Sequence, residues 1–228
     1  MTIVRDKRAS RWDAHREARR AELTGAAILA IRTYGAGVGM DDVAAQAGTS
    51  KTVVYRHFAD RTQLYLAVCA RVAETLAGQV YAAMDRAAHP RDKAAAGIEA
   101  YLRLIEHDPE VYRFVVHRPL DRTEVDGQAR KRPSEAEDPV ADLATLVGDQ
   151  AAAVIAAQLV RTGKDTTAAT TWGHAIVGLV RGAGDNWLAR GRRGDGSAIS
   201  RDVLAAQLTD LAWAGLSGVV ADPVERHS

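Results

Sequence analysis

Along almost the whole chain apolar residues recur every three or four positions, and they do not alternate as a half-buried strand requires. That period commits the chain to helices. Aromatics make up 5% of residues, alanine is abundant, and valine and isoleucine never cluster between turn signals. The expectation is an all-α fold of about nine helices. Ser10 or Asp13 caps the first, whose stripe of Leu23, Ala27, Ile31 and Tyr34 ends at the glycines at 35, 37 and 39. A short second helix follows Met40 and ends at Gly48, and Ser50 caps a third over 51–57. Asp60 and Gln63 have capping-box spacing for a long fourth helix over 61–87. A fifth covers 92–107, and Asp108-Pro109 starts a sixth that ends before Pro119. Residues 118–138, polar and containing Arg130-Lys131-Arg132, connect to a seventh helix over 139–162 that stops at Gly163. An eighth runs from Thr166 or Thr167 to Ala189, and Ser200 caps a ninth reaching Val219.

Several classes of function are excluded early. The single cysteine, Cys69, rules out a disulfide framework or a cysteine-based zinc site, and reads as a small buried hydrophobe. No apolar run approaches a membrane span and the charged N-terminus has no signal-peptide core, so a soluble, cytoplasmic protein with no membrane partner is expected. The seven histidines are scattered, and His107 and His117 lack the i, i+4 pairing of a metal site. His174, near Trp172, reads as a hydrogen-bonded core histidine. There is no nucleophile elbow, and Gly35-x-Gly-x-Gly39 follows a helix where a dinucleotide loop follows a strand. Neither an enzyme nor a cofactor is expected.

The charge is uneven along the chain. Residues 1–61 hold eleven Lys/Arg against seven Asp/Glu, and residues 62–228 hold nineteen against twenty-two. A basic front lobe suits a polyanionic partner. Within it, the short helix, tight turn and short helix over 41–57 have helix-turn-helix spacing. Ala44 and Ala47 allow close packing, Gly48 supplies positive φ, and Val43, Val54 and Phe58 form a small shared core. That leaves Thr49, Ser50, Lys51, Thr52, Val53, Tyr55, Arg56 and His57 around the start and outer face of the third helix. Most are hydroxyls and cations suited to phosphates and base edges in a major groove. A pure interaction module would not need Lys51, Tyr55 and His57 at this spacing.

The stretch Met40–Leu64, with Ala47-Gly-x-Ser-Lys51, Tyr55-x-His-Phe58 and Arg61, closely resembles the signature of TetR-family transcriptional regulators. The resemblance implies a DNA-binding domain over 1–60 with a basic N-terminal arm, and a ligand-binding and dimerisation domain over 61–228. It implies a homodimeric repressor on double-stranded operator DNA. Positions matching Ser50, Lys51, Thr52, Tyr55, His57 and Arg61 are those that commonly touch the operator in that family. The Gly35-Ala-Gly-Val-Gly39 loop departs from the family pattern and bears on how the second helix is capped.

Tyr101-Leu-Arg-Leu-Ile-Glu-His-Asp108, Tyr112-Arg-Phe114, Gly178–Leu188 and Ala212–Ser217 look similar to TetR-type regulators of lipid metabolism. That likeness implies a long-chain fatty acid or acyl-CoA effector; drugs or another small metabolite are the alternative. The candidate lining is Tyr101, Leu104, Ile105, Phe114, Ile155, Leu159, Ile176, Val180 and Trp187, beside helices crowded with alanine and glycine. Gly173, Gly178, Gly182 and Gly184 suggest close approach of another helix or a ligand. The stripe Leu204, Leu208, Leu211 and Val219 suggests a dimer through the last two helices.

Overall fold

A computed structural model describes residues 7–116, 139–191 and 199–220, with side chains over 14–116, 144–191 and 199–216. The described residues form nine helices: α1 (Lys7–Tyr34), α2 (Met40–Gln46), α3 (Lys51–His57), α4 (Arg61–Asp85), α5 (Pro90–His107), α6 (Pro109–Val116), α7 (Pro139–Arg161), α8 (Ala169–Gly191) and α9 (Arg201–Val220). Among the described residues there is no strand. The expected connection over 118–138, with Arg130-Lys131-Arg132, lies outside the described residues, as do His117 and the side chains of Ser10, Asp13 and Val219.

Helix boundaries follow local chemistry. Gln63 N–H donates to the Asp60 carboxylate at 2.9 Å and opens α4 as its spacing predicts. Three starts differ from expectation, α5 beginning two residues early at Pro90. α1 begins at Lys7 and runs through both Ser10 and Asp13. α8 begins at Ala169 because the Asp165 carboxylate takes the Thr167 N–H at 3.2 Å and its hydroxyl at 2.8 Å, closing a turn ahead of the helix.

The chain divides into two compact units, Met1–Val72 with Glu110–Pro139, and Ala73–Pro109 with Val140–Ser228. The first unit extends to Val72, into α4, and takes in nearly all of α6. Its core is built on the fully buried Leu23, Ile31, Val43, Val54, Phe58 and Val68. α6 joins because Val111, Tyr112, Phe114 and Val115 are all buried. The Tyr65 hydroxyl donates to the Val115 carbonyl at 3.0 Å, and its ring lies 5.4 Å from that of Phe114.

In the second unit α5 packs antiparallel on α9. Arg91 pairs with Asp210 at 2.6 Å near one end, and Arg201 with Glu106 at 2.8 Å near the other. Leu204 and Leu208 are buried on α9, while Leu211 stays exposed. The apolar stripe read as one dimer face is therefore divided: its first half serves the chain's own core.

The four α8 glycines divide too. A β-carbon at Gly173 would lie 2.5 Å from the Gly148 carbonyl oxygen and the Ala152 nitrogen, so α7 and α8 touch backbone to backbone there. One at Gly184 would lie 2.9 Å from the Ile105 side chain of α5. Gly178 and Gly182 face nothing within 4 Å.

Candidate nucleic-acid interface

The turn between α2 and α3 is made by Gly48 at φ +60°, a conformation that L side chains adopt reluctantly, and Thr49 N–H donates to the Ala44 carbonyl at 2.9 Å. Ser50 is the N-cap of α3, its Oγ accepting from Val53 N–H at 3.4 Å. The glycine-rich loop does cap α2, by a route without a hydroxyl. Gly39 is extended at the N-cap, and its N–H donates to the Asp42 carboxylate at 2.7 Å.

With Val54 and Phe58 buried against the shared core, α3 is oriented. Ser50, Lys51, Thr52, Tyr55 and Arg56 are exposed, and Thr49, Val53 and His57 are half-buried. The spacing 51, 52, 55 and 56 places the exposed members on one outer face.

Arg61 lies apart from them. Its guanidinium donates to the Val38 carbonyl at 2.8 Å, and the side chain helps line a narrow apolar pocket with Ile31, Met40, Tyr65 and Phe114. Here it ties the loop before α2 to the start of α4.

The cations behind α3 come from α1. Arg20 stacks 4.4 Å over the Phe58 ring and donates to the His57 carbonyl at 2.7 Å, fastening the C-terminal end of α3. The His57 Nδ1 is buried without a hydrogen-bond partner among the described residues. Burial first, then Arg19, Arg56, Arg20 and Arg16, holds its pKa below the ordinary histidine value. Arg16, Arg19 and Arg20 were legible only as part of a basic stretch, because no local spacing rule ties α1 to the end of α3. Nor does any spacing rule pair Asp41 with Lys51. Its carboxylate lies 2.7 Å from Lys51 Nζ, and that hydrogen bond and charge raise the lysine pKa.

The expected ligand-lining residues come together only in part. Tyr101 and Leu104 pack on a cluster of Leu76, Val80, Ala83, Met84 and Ala100. Ile155 and Leu159 form a second cluster with Ala169, flanked by Trp172 and Ile176. Ile105 and Val180 are buried, and Trp187 Nε1–H donates to the Ile199 carbonyl at 2.8 Å. Phe114 departs from the set, because α6 buries its apolar residues in the first unit. His174 Nε2 sits 3.1 Å from Asp149 Oδ1 at a partly exposed position, rather than in the core. Cys69 is fully buried. Among the described residues no three His, Cys, Asp or Glu side chains gather around a metal position, and no helix is long and apolar enough to cross a membrane.

The fold and the α2–α3 geometry define a helix-turn-helix DNA-binding protein. The model for bacterial regulatory proteins of the tetR family matches residues 18–68, and that for the tetracyclin repressor-like C-terminal domain matches residues 79–226. The chain belongs to the TetR family of transcriptional regulators.

An uncharacterized HTH-type transcriptional regulator of Mycobacterium tuberculosis is 32% identical over 96% of this chain and 86% of its own length. The HTH-type transcriptional activator FasR of Mycolicibacterium smegmatis is 30% identical over 90% of this chain and 85% of its own. Among solved structures, a transcriptional regulator of Pseudomonas aeruginosa PAO1 shares the fold at TM-score 0.66 and 16% identity, over 90% of this chain and 91% of that one. FadR of Bacillus subtilis in complex with stearoyl-CoA does so at TM-score 0.63 and 13% identity, over 86% and 98%.

Proposed function

We propose that this TetR-family regulator is a homodimeric repressor that grips operator DNA with the outer face of α3 and lets go when a long acyl chain enters its second unit. The observation that carries the DNA part is the exposed set Lys51, Thr52, Tyr55 and Arg56 on a helix capped by Ser50 and oriented by buried Val54. The contact set adds Thr49, Ser50, Val53 and His57; Arg61 contributes by holding the Val38 carbonyl, which fixes the entry to α2. Two copies are required, because recognition helices in successive major grooves stand about 34–36 Å apart. Gly178 and Gly182 of α8 and Leu211 of α9 form the contact between copies, since none of the three is used to pack the chain's own core.

The effector reading rests on Tyr101, Leu104, Ile105, Ile155, Leu159, Ile176, Val180 and Trp187, carried by α5, α7 and α8. Apolar side chains beside small residues suit hydrocarbon, and the FadR structure holds stearoyl-CoA in the same fold. At about 0.8 kcal/mol per buried methylene, a chain of about a dozen carbons suffices for micromolar binding after ordering costs. α4 contributes to both units, so a ligand that shifts it changes the DNA-binding unit only if it binds the two arrangements unequally. A second reading, ligand-responsive activation, is favoured by FasR being an activator. Mass spectrometry of small molecules co-purifying with the protein tests the effector class. Long-chain acyl species support it, and a polar metabolite at stoichiometric level overturns it.

A further inference from the structure

Lys51 opens α3 with a cation where a phosphate contact needs one, yet its ammonium already has an anion. Nζ lies 2.7 Å from Asp41 Oδ2, ten residues earlier in the first turn of α2. Asp41 is not required to cap α2, because its neighbour Asp42 takes the Gly39 N–H. Among the described residues, Lys51 is the hydrogen-bond partner that Asp41 has. Both side chains are half or more exposed, so the pair can part without unpacking either helix.

We propose that Asp41 is a positioning residue that competes with DNA phosphate for Lys51 and so weakens the protein's grip on duplexes of any sequence. The inference rests on the reading of α3 as the DNA-facing helix. For Lys51 to reach a phosphate it must leave Asp41, and the bared carboxylate then stands beside a polyanion. Both steps oppose binding. Phosphates carry no sequence information, so the opposition falls equally on matched and unmatched duplexes. Its effect is to keep the regulator from being held on bulk DNA, where electrostatic binding supplies essentially all the affinity.

The test uses the full chain and a 30-base-pair duplex of random sequence, with anisotropy titrations over a sodium chloride series. Exposed ion pairs have modest strength, so Asp41→Asn is expected to tighten binding about two- to fivefold at low salt and to steepen the salt slope by about one. Asp41→Glu, which keeps the charge, is expected to stay near the parent.

A double-mutant cycle separates rivalry from plain repulsion. The gain from Asp41→Asn is expected to shrink when Lys51→Ala is also present. A gain of full size in the Lys51→Ala background overturns the rivalry, because it then reflects only repulsion between Asp41 and DNA. Unchanged or weaker binding by Asp41→Asn, with Lys51→Ala still weakening it, overturns the proposal while leaving α3 as the DNA face. If Lys51→Ala alone changes nothing, the α3 reading and the proposal fail together.

Discussion

Among single residues, His57 ties stability to pH, and on the proposed reading of α3 it ties DNA affinity to pH with the opposite sign. Its folded pKa lies below the ordinary histidine value, through burial and then the surrounding arginines. Between those two pKa values the unfolded chain binds more protons, so stability rises with pH across that window. The contribution is complete above the ordinary value and is lost as pH falls through the folded one. On the proposed reading of α3 as the DNA face, phosphates against it are expected to offset the field of Arg19, Arg56, Arg20 and Arg16 and to raise the pKa in the complex. Binding then takes up a proton, and affinity is expected to increase as pH falls through the same window. Titrations at several pH values check this; a profile that His57→Asn leaves unaltered contradicts it. Lys51→Ala is expected to lower the slope of log K against log salt by about one and to weaken all sequences alike. An unaltered slope removes Lys51 from the phosphate contacts. Such partnerships were hidden in the sequence. Arg61 meets Val38 across 23 positions and Tyr65 meets Val115 across 50, separations at which no periodic rule pairs residues.

At the scale of elements, α3 was legible to the residue because its signals are local. Gly48 breaks α2, Ser50 caps α3, and Phe58 is extended at its end. Helix periodicity also picks out buried residues such as Leu23, Ile31 and Leu204, although Tyr34 of the first stripe is exposed. It could not say which unit Phe114 joins, because periodicity reports that a side chain is buried and not what buries it. The glycines show the same limit, and they give opposite predictions. Gly78 is an exposed position of α4 and faces nothing within 4 Å, so Gly78→Ala is expected to stabilise the fold by about 0.5–1 kcal/mol through helix propensity alone. At Gly173 the added carbon meets α7 backbone, and Gly173→Ala is expected to destabilise by about 1–3 kcal/mol. Thermal unfolding of the two variants checks both signs; a gain at Gly173 means α7 and α8 are not in backbone contact.

For the molecule as a whole, the proposed repression and release require a two-fold dimer and a ligand that discriminates between two arrangements. The sequence pointed to α8 and α9 for the dimer, but half of the α9 stripe, Leu204 and Leu208, proved to be core. Of the stripe residues whose side chains are described, Leu211 stays exposed, so Leu211→Glu is expected to shift sedimentation at micromolar concentration from dimer toward monomer while helicity is kept. A dimer of unchanged strength places the contact elsewhere. If acyl chains loosen the grip on DNA, a series of chain lengths reveals it. Fatty acyl-CoA esters of increasing length are titrated into the protein bound to a duplex it has itself selected from a random pool. Release is expected to become effective at lower concentration as the chain grows, gaining with each added methylene until the apolar interior is full. Release independent of chain length, or none with any ester, contradicts it.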